Sequence, residues 1–188
     1  MPVSPSEAQE TLRDISSTSH ASAKSYGYRV ASPHFILWGI IWLLAWSVSY
    51  FDTRQSWSWP IFDVIGIAGS FLLGRRAARK RDGWAGQGGW GFKYCASLVA
   101  VAAFVAAVFA VMPPPTYLQA GAFFPLLVAL FYCLSGIWAR AARLWIIGVA
   151  LAALTLAGYF WMPQIFLLWM ALVGGGSLIL AGVWLRSA

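Results

Sequence analysis

Apolar residues in this chain fall into six long runs separated by short polar connections. The runs occupy residues 34–51, 59–74, 94–112, 117–138, 144–162 and 164–185. A helix needs roughly 20 mainly apolar residues to cross the hydrocarbon of a bilayer. Because the runs approach or reach this length, the pattern predicts an all-α membrane protein, a bundle of six transmembrane helices over residues 34–186.

Lysine and arginine alternate between the connections of this pattern. Of the 13 lysines and arginines, 12 lie in four places: before the first run, between the second and third runs, between the fourth and fifth runs, and after the sixth run. The exception is Arg54, between the first and second runs. Cationic loops resist translocation and remain on the cytoplasmic side. We therefore expect both termini in the cytoplasm.

Residues 1–33 form a separate cytoplasmic segment ahead of the first run. Within it, residues 5–26 carry Leu12, Ile15 and Tyr26 at helical spacing on one face, which predicts a short amphipathic helix. This helix could lie on the membrane, pack on the bundle or bind a partner. Gly27 and Pro33 are expected to break the chain before the first span.

Composition leaves little room for anything beyond these two parts. Of the 188 residues, 60% are hydrophobic and 10% are charged, whereas soluble domains carry about 25% charged residues. The net charge of +7 lies beside membrane segments, where bases orient helices and contact anionic lipid head groups. Nucleic acid is therefore not an expected partner.

Small residues mark where helices approach each other closely. Gly66 and Ser70 in the second run have the spacing of a small-xxx-small pair. Gly174–Gly176 predicts a soft or closely packed stretch in the sixth run. The third run carries a stripe of alanines that is expected to face another helix, within this chain or in a partner: Ala100, Ala103, Ala107 and Ala110. The turn near Pro163 must separate two spans, because one helix over 144–185 would run about 60 Å, twice the hydrocarbon thickness.

Three tryptophans form an aromatic face on the first span. Trp38, Trp42 and Trp46 recur every four residues, so their indoles share one side of the helix. Such a face binds a planar ligand in some proteins and packs against helices or lipid in others. Both interpretations stay open.

Asp63 is the acidic residue that the pattern puts inside the membrane. Insertion of a central aspartate costs roughly 2.5–3.5 kcal/mol, so an intramembrane acid indicates a functional site such as a proton or cation carrier. The alternative is structural. Asp63 follows Pro60 by about one helical turn, and the positive end of a helix stabilises an anion.

A basic run follows the second span on the side predicted to be cytoplasmic. Its residues are Arg75, Arg76, Arg79, Lys80 and Arg81. Each base near an anionic membrane surface contributes about 1 kcal/mol of attraction. The run therefore predicts contact with lipid head groups, with docking of an acidic cytosolic protein as the alternative.

The residue inventory argues against enzymatic chemistry. His20 and His34 both lie outside the predicted membrane core and cannot supply paired haem ligands. There is no Cys/His cluster at metal-ligand spacing, and no HExxH, GxSxG or P-loop motif. We therefore expect a non-enzyme with no catalytic residues, metal or cofactor.

The segment EAQETLRDI followed by SPHFILWGIIWLLAW resembles a group of bacterial membrane proteins of unassigned activity. Members of that group have an N-terminal helix, a Trp-rich first span and a basic turn after the second span, and many are paired with small cytosolic winged-helix regulators. The resemblance covers about the first eighty residues. It implies a bacterial inner-membrane component of a regulatory or accessory system.

Three functions follow as hypotheses. The leading one is a regulatory or accessory membrane protein that acts through its basic cytoplasmic face. The second is a small proton- or cation-coupled transporter that uses Asp63. The third is a structural subunit of a larger complex or a homo-oligomer.

Reporter fusions test the predicted topology. Alkaline phosphatase is active only outside the cytoplasm, so fusions in the turns at Pro115 and Pro163 should be active. A fluorescent protein fused after Ala188 or at Trp84 in the basic connection should fluoresce. Phosphatase activity at Ala188 would contradict the prediction.

Overall fold

Helix is the regular secondary structure of the described part of the chain. The computed structural model describes residues 5–51, 58–79 and 90–187, and these ranges contain no strand. The long helices are α1 (Pro5–Phe51), α2 (Ser58–Arg79), α3 (Trp90–Val111), α4 (Tyr117–Trp138) and α5 (Ala142–Trp161). A 3₁₀ turn at Pro163–Ile165, α6 (Phe166–Trp169), a π-helical segment (Met170–Gly175) and α7 (Gly176–Arg186) complete the C-terminal stretch.

Four stretches within the described residues are long and apolar enough to cross a membrane. They are Ser25–Phe51, Tyr117–Trp138, Ala142–Trp161 and Pro163–Arg186. The expectation of an all-helical protein is confirmed for the described residues, and so is the separation of the last two predicted spans at Pro163. The four apolar helices are compatible with a membrane protein. The other two predicted crossings fall short of this measure: α2 contains Asp63 and several arginines, and the apolar part of α3, Cys95–Val111, is short.

Helix α1 corrects one prediction. It continues for 47 residues through Gly27 and Pro33, about 70 Å at 1.5 Å per residue, instead of breaking before the first span. Contacts on both sides of Pro33 account for this. The Tyr28 hydroxyl accepts a hydrogen bond from the backbone N–H of Arg143 at 3.3 Å, and Phe35 packs on Tyr132 with ring centroids 4.6 Å apart. Tertiary packing thus offsets the backbone hydrogen bond that proline cannot donate.

The centre of the fold is the antiparallel pair of α1 and the C-terminal stretch. A Cβ added at Gly175 would lie 2.8 Å from the carbonyl oxygen of Gly39, and one added at Gly182 would lie 3.0 Å from that of Ser32. The Ser32 hydroxyl donates to the Gly182 carbonyl at 2.7 Å. The two backbones therefore meet directly, and the close packing predicted for the glycine triplet is confirmed at Gly175.

Two further pairs flank this centre. Helices α4 and α5 form an antiparallel hairpin in which a Cβ added at Gly148 would lie 2.7 Å from the carbonyl oxygen of Ala129. Helix α2 runs antiparallel to α1, because the indole of Trp59 reaches Ser49 while Ser70 reaches Trp38. A Cβ at Gly66 would lie 2.6 Å from the Trp38 ring, so the predicted Gly66–Ser70 packing pair is confirmed.

Arginines gather at one end of this arrangement. The Arg143 guanidinium donates to the Trp184 carbonyl and lies 5.0 Å from the Trp184 ring centroid. Arg186 Nε donates to the Ser32 hydroxyl at 3.0 Å. Arg75 and Arg76 follow the Ser70–Trp38 contact by five or six residues, which brings them level with Ser32. The basic connections of the sequence pattern thus share one end of the bundle in the described residues.

Helix α3 differs from its prediction. The stripe Ala100, Ala103, Ala107 and Ala110 is exposed rather than packed on another helix of this chain. The ring contacts of α3 are made instead by Phe109, which meets Phe123 and Phe124 of α4 edge-on at 5.2 and 5.9 Å. Within the described residues the alanine stripe therefore lies on an exposed side of α3.

Adjacent glycines provide a test of the α1–α7 contact. Gly175→Ala adds a methyl group against the Gly39 carbonyl and the Leu43 backbone, both within 2.8 Å. Overpacking of this kind costs typically 1–3 kcal/mol, so we expect a lower melting temperature in detergent. Gly176→Ala is the matched control, since nothing lies within 4 Å of its added Cβ. Equal melting temperatures for the two variants would contradict the described packing.

Candidate ligand cavity

A cavity of about 550 Å³ lies between α1, α2 and α4. Its walls are mostly aromatic and aliphatic. The lining residues are Trp38, Trp42, Trp46, Trp59, Asp63, Tyr117, Ala120, Gly121, Phe124, Val128, Phe131, Tyr132 and Leu178. The cavity therefore brings together two features that the sequence predicted separately, the tryptophan face of α1 and the acidic residue of α2.

Helix α1 positions three indoles on the cavity side by their four-residue spacing. Trp42 and Trp46 are buried, and the Trp46 ring packs edge-on against Trp59 at 4.6 Å and against Phe166 at 6.2 Å. A Cβ added at Gly121 would lie 3.2 Å from the Trp46 ring. The small residue on α4 thus leaves room for the indole at the floor of the cavity.

Hydrogen bonds hold two of the four tryptophans in place. The Trp38 indole donates to the Ser70 hydroxyl at 3.1 Å, and the Trp59 indole donates to the Ser49 hydroxyl at 2.9 Å. Ser49 in turn donates to the Ala45 carbonyl. Both rings are therefore fixed by polar contacts between α1 and α2, which are strong where water is scarce.

The indole of Trp46 differs from these two. Trp46 is 2% exposed, and its Nε1 is buried with no hydrogen-bond partner in the described part of the structure. A buried donor left unpaired costs about 1–3 kcal/mol. Since this nitrogen has almost no accessible surface, other atoms of the Trp46 ring line the cavity.

Asp63 supplies the charge in the cavity wall. It follows the start of α2 at Ser58 by five residues, about 8 Å along the helix, and its side chain is exposed at the cavity. Among the acidic residues of the chain, Asp63 is the one whose side chain the structure describes. A carboxylate beside four tryptophan rings is an arrangement that favours a cation, since aromatic faces are electron-rich.

The predicted basic patch is separate from the cavity. Arg75 and Arg76 are exposed near the other end of α2, about 18 Å along the helix axis from Asp63, and the Arg75 guanidinium lies 5.6 Å from the Phe71 ring centroid. Lys80, Arg81 and the side chain of Arg79 lie outside the described residues. The described residues contain no group of three or more His, Cys, Asp and Glu that could hold a metal ion.

The wall provided by α4 escaped the sequence interpretation. Tyr117, Phe124 and Phe131 recur every seven residues, and Gly121 and Val128 fall between them at helical spacing. These positions form one face of α4. The seven-residue spacing of these aromatic residues could have identified this face from the sequence. It does not stand out, because α4 is rich in apolar residues on all sides.

Comparison with models of protein families, with curated proteins and with solved structures finds no match to this chain.

Proposed function

We propose that this chain is a small proton- or cation-coupled carrier of a bacterial inner membrane, with Asp63 as its coupling group and the cavity as its substrate site. It is non-enzymatic in this proposal and has six spans with both termini in the cytoplasm. The observation that supports it is the convergence of the three tryptophans of α1, the Trp59 ring and the Asp63 carboxylate on one cavity. The antiparallel course of α2 along α1 supports counting α2 as a span.

Coupling follows from the chemistry of a single carboxylate. Asp63 is neutral when it holds a proton and negative when it faces a bound cation. A proton and a cation therefore compete for the Asp63 carboxylate. Release of the proton allows the cation to bind, and release of the cation allows the proton to bind. The same exchange links a proton gradient to movement of the substrate.

An irregular segment of the C-terminal span, next to Trp42 of the cavity wall, supports a conformational change during transport. The π-helical segment Met170–Gly175 interrupts the C-terminal span, and a Cβ added at Gly174 would lie 3.7 Å from the Trp42 ring. Interrupted helices recur beside the substrate sites of membrane carriers, and π-segments recur at functional sites. A helix with irregular hydrogen bonding can shift against Trp42 at lower cost than a regular one.

Substitution of Asp63 tests the carrier proposal. Purified protein in proteoliposomes on a solid-supported membrane should give transient currents with members of a panel of apolar amines. Asp63→Asn should abolish these currents because the neutral amide exchanges no proton, whereas Asp63→Glu should retain them in part. Arg76→Gln, at the far end of α2, serves as the control. An Asn variant with full currents would rule out Asp63 as the coupling group.

A second candidate function is the docking of a cytosolic partner, such as a winged-helix regulator, at the basic end. Two observations favour it. Helix α1 continues N-terminal to Ser25 for 20 residues, about 30 Å at the helical rise, and Arg75 and Arg76 are exposed at this end. A projecting helix beside exposed bases suits a protein with an acidic surface, and the same bases suit anionic lipid head groups.

Deletion of residues 5–24 tests the docking function separately. We expect the shortened protein, which keeps the span Ser25–Phe51, to insert normally but to lose any stoichiometric cytosolic partner on purification in mild detergent. Arg75→Glu combined with Arg76→Glu should weaken the same capture by charge repulsion. Unchanged capture by both variants would show that this end is not the docking surface.

A further inference from the structure

The chemistry of the cavity narrows the substrate class. We infer that the cavity binds an organic cation with an apolar, aromatic body, its positive centre held by Asp63 and the tryptophan rings. This inference rests on the proposed function, because it names the substrate of the same site.

The apolar walls of the cavity favour a ligand whose bulk is apolar. The cavity of about 550 Å³ is comparable to ordinary small-molecule sites, which span roughly 300–1,000 Å³ and are lined mainly by apolar and aromatic side chains. Trp38 and Trp59 are fixed by their hydrogen bonds to Ser70 and Ser49. The site is therefore preorganised, and few side chains lose freedom when a rigid aromatic ligand enters.

The negative charge of Asp63 favours a ligand with a positively charged centre. Asp63 is exposed at the cavity, while the described arginines Arg75, Arg143 and Arg186 lie at the other end of the bundle. Among aromatic side chains tryptophan gives the strongest cation–π attraction, and shielding from water strengthens it. An anion in the cavity would be repelled by the carboxylate and by the electron-rich ring faces. The cavity therefore favours a cation over an anion of the same shape.

Two ions of almost the same shape test the sign of the charge. Equilibrium dialysis of the detergent-solubilised full chain would compare tetraphenylphosphonium with tetraphenylborate. We expect saturable binding of the cation and no saturable binding of the anion. Asp63→Asn should weaken binding of the cation at least about tenfold, because the ligand loses its counter-charge. Equal binding of both ions, or cation binding unchanged in Asp63→Asn, would overturn the inference and indicate a cleft that any apolar molecule or acyl chain can fill.

The outcomes separate this inference from the carrier function. Selective cation binding without Asp63-dependent currents would keep the binding site and reject transport. Asp63-dependent currents with a neutral or anionic substrate, and no cation binding, would keep transport and overturn the substrate class.

Discussion

Direct backbone contact between α1 and the C-terminal stretch is the constraint on which the rest of the structure depends. Gly39, Gly175 and Gly182 remove the side chains that would hold the two helices apart. In a bilayer the hydrophobic effect adds little between helices, so association relies on close packing and on hydrogen bonds such as that from Ser32 to the Gly182 carbonyl. This contact sets the rotation of α1 and thereby turns its tryptophans toward α2 and α4.

Polar groups within the membrane-facing fold are few, and most have a defined partner. Serines on α1 and α2 accept the indole N–H groups of Trp59 and Trp38, and Thr155 donates to the Leu151 carbonyl of its own helix. Two buried groups lack a hydrogen-bond partner within the described residues, the Trp46 indole N–H and the Gln119 side-chain oxygen.

Opposite charges occupy opposite ends of the described bundle. Asp63 lies at the cavity near the end of α1 that Ser49 marks, and the arginines lie level with Ser32. The two ends are therefore chemically independent: one suits a cation, and the other suits anionic lipid or an acidic protein. A carrier regulated from its cytoplasmic end would use both without any residue serving two functions.

Local pattern was sufficient for part of this structure. Hydropathy and spacing in the sequence determined that the chain is helical, that several helices are long and apolar enough to cross a membrane, that Pro163 separates two of them, and that Gly66 and Ser70 mark a helix contact. Each of these features depends on residues close together in the chain. Relations between distant residues were decided by the tertiary structure. Packing of Tyr28 and Phe35 carries α1 through Pro33. Helix α3 contacts α4 through Phe109, and its alanine stripe is exposed.

The candidate site divides in the same way. The four-residue spacing of the tryptophans and the cost of an intramembrane acid were readable in sequence, and they identified Trp38, Trp42, Trp46 and Asp63 as separate candidates. That all four line one cavity and that α4 supplies its opposite wall depend on how helices far apart in the chain pack. The same packing pairs the Trp38 and Trp59 indoles with Ser70 and Ser49 and leaves the Trp46 indole without a partner in the described residues. Spacing determines which side chains share a face of one helix, whereas only packing decides what that face meets.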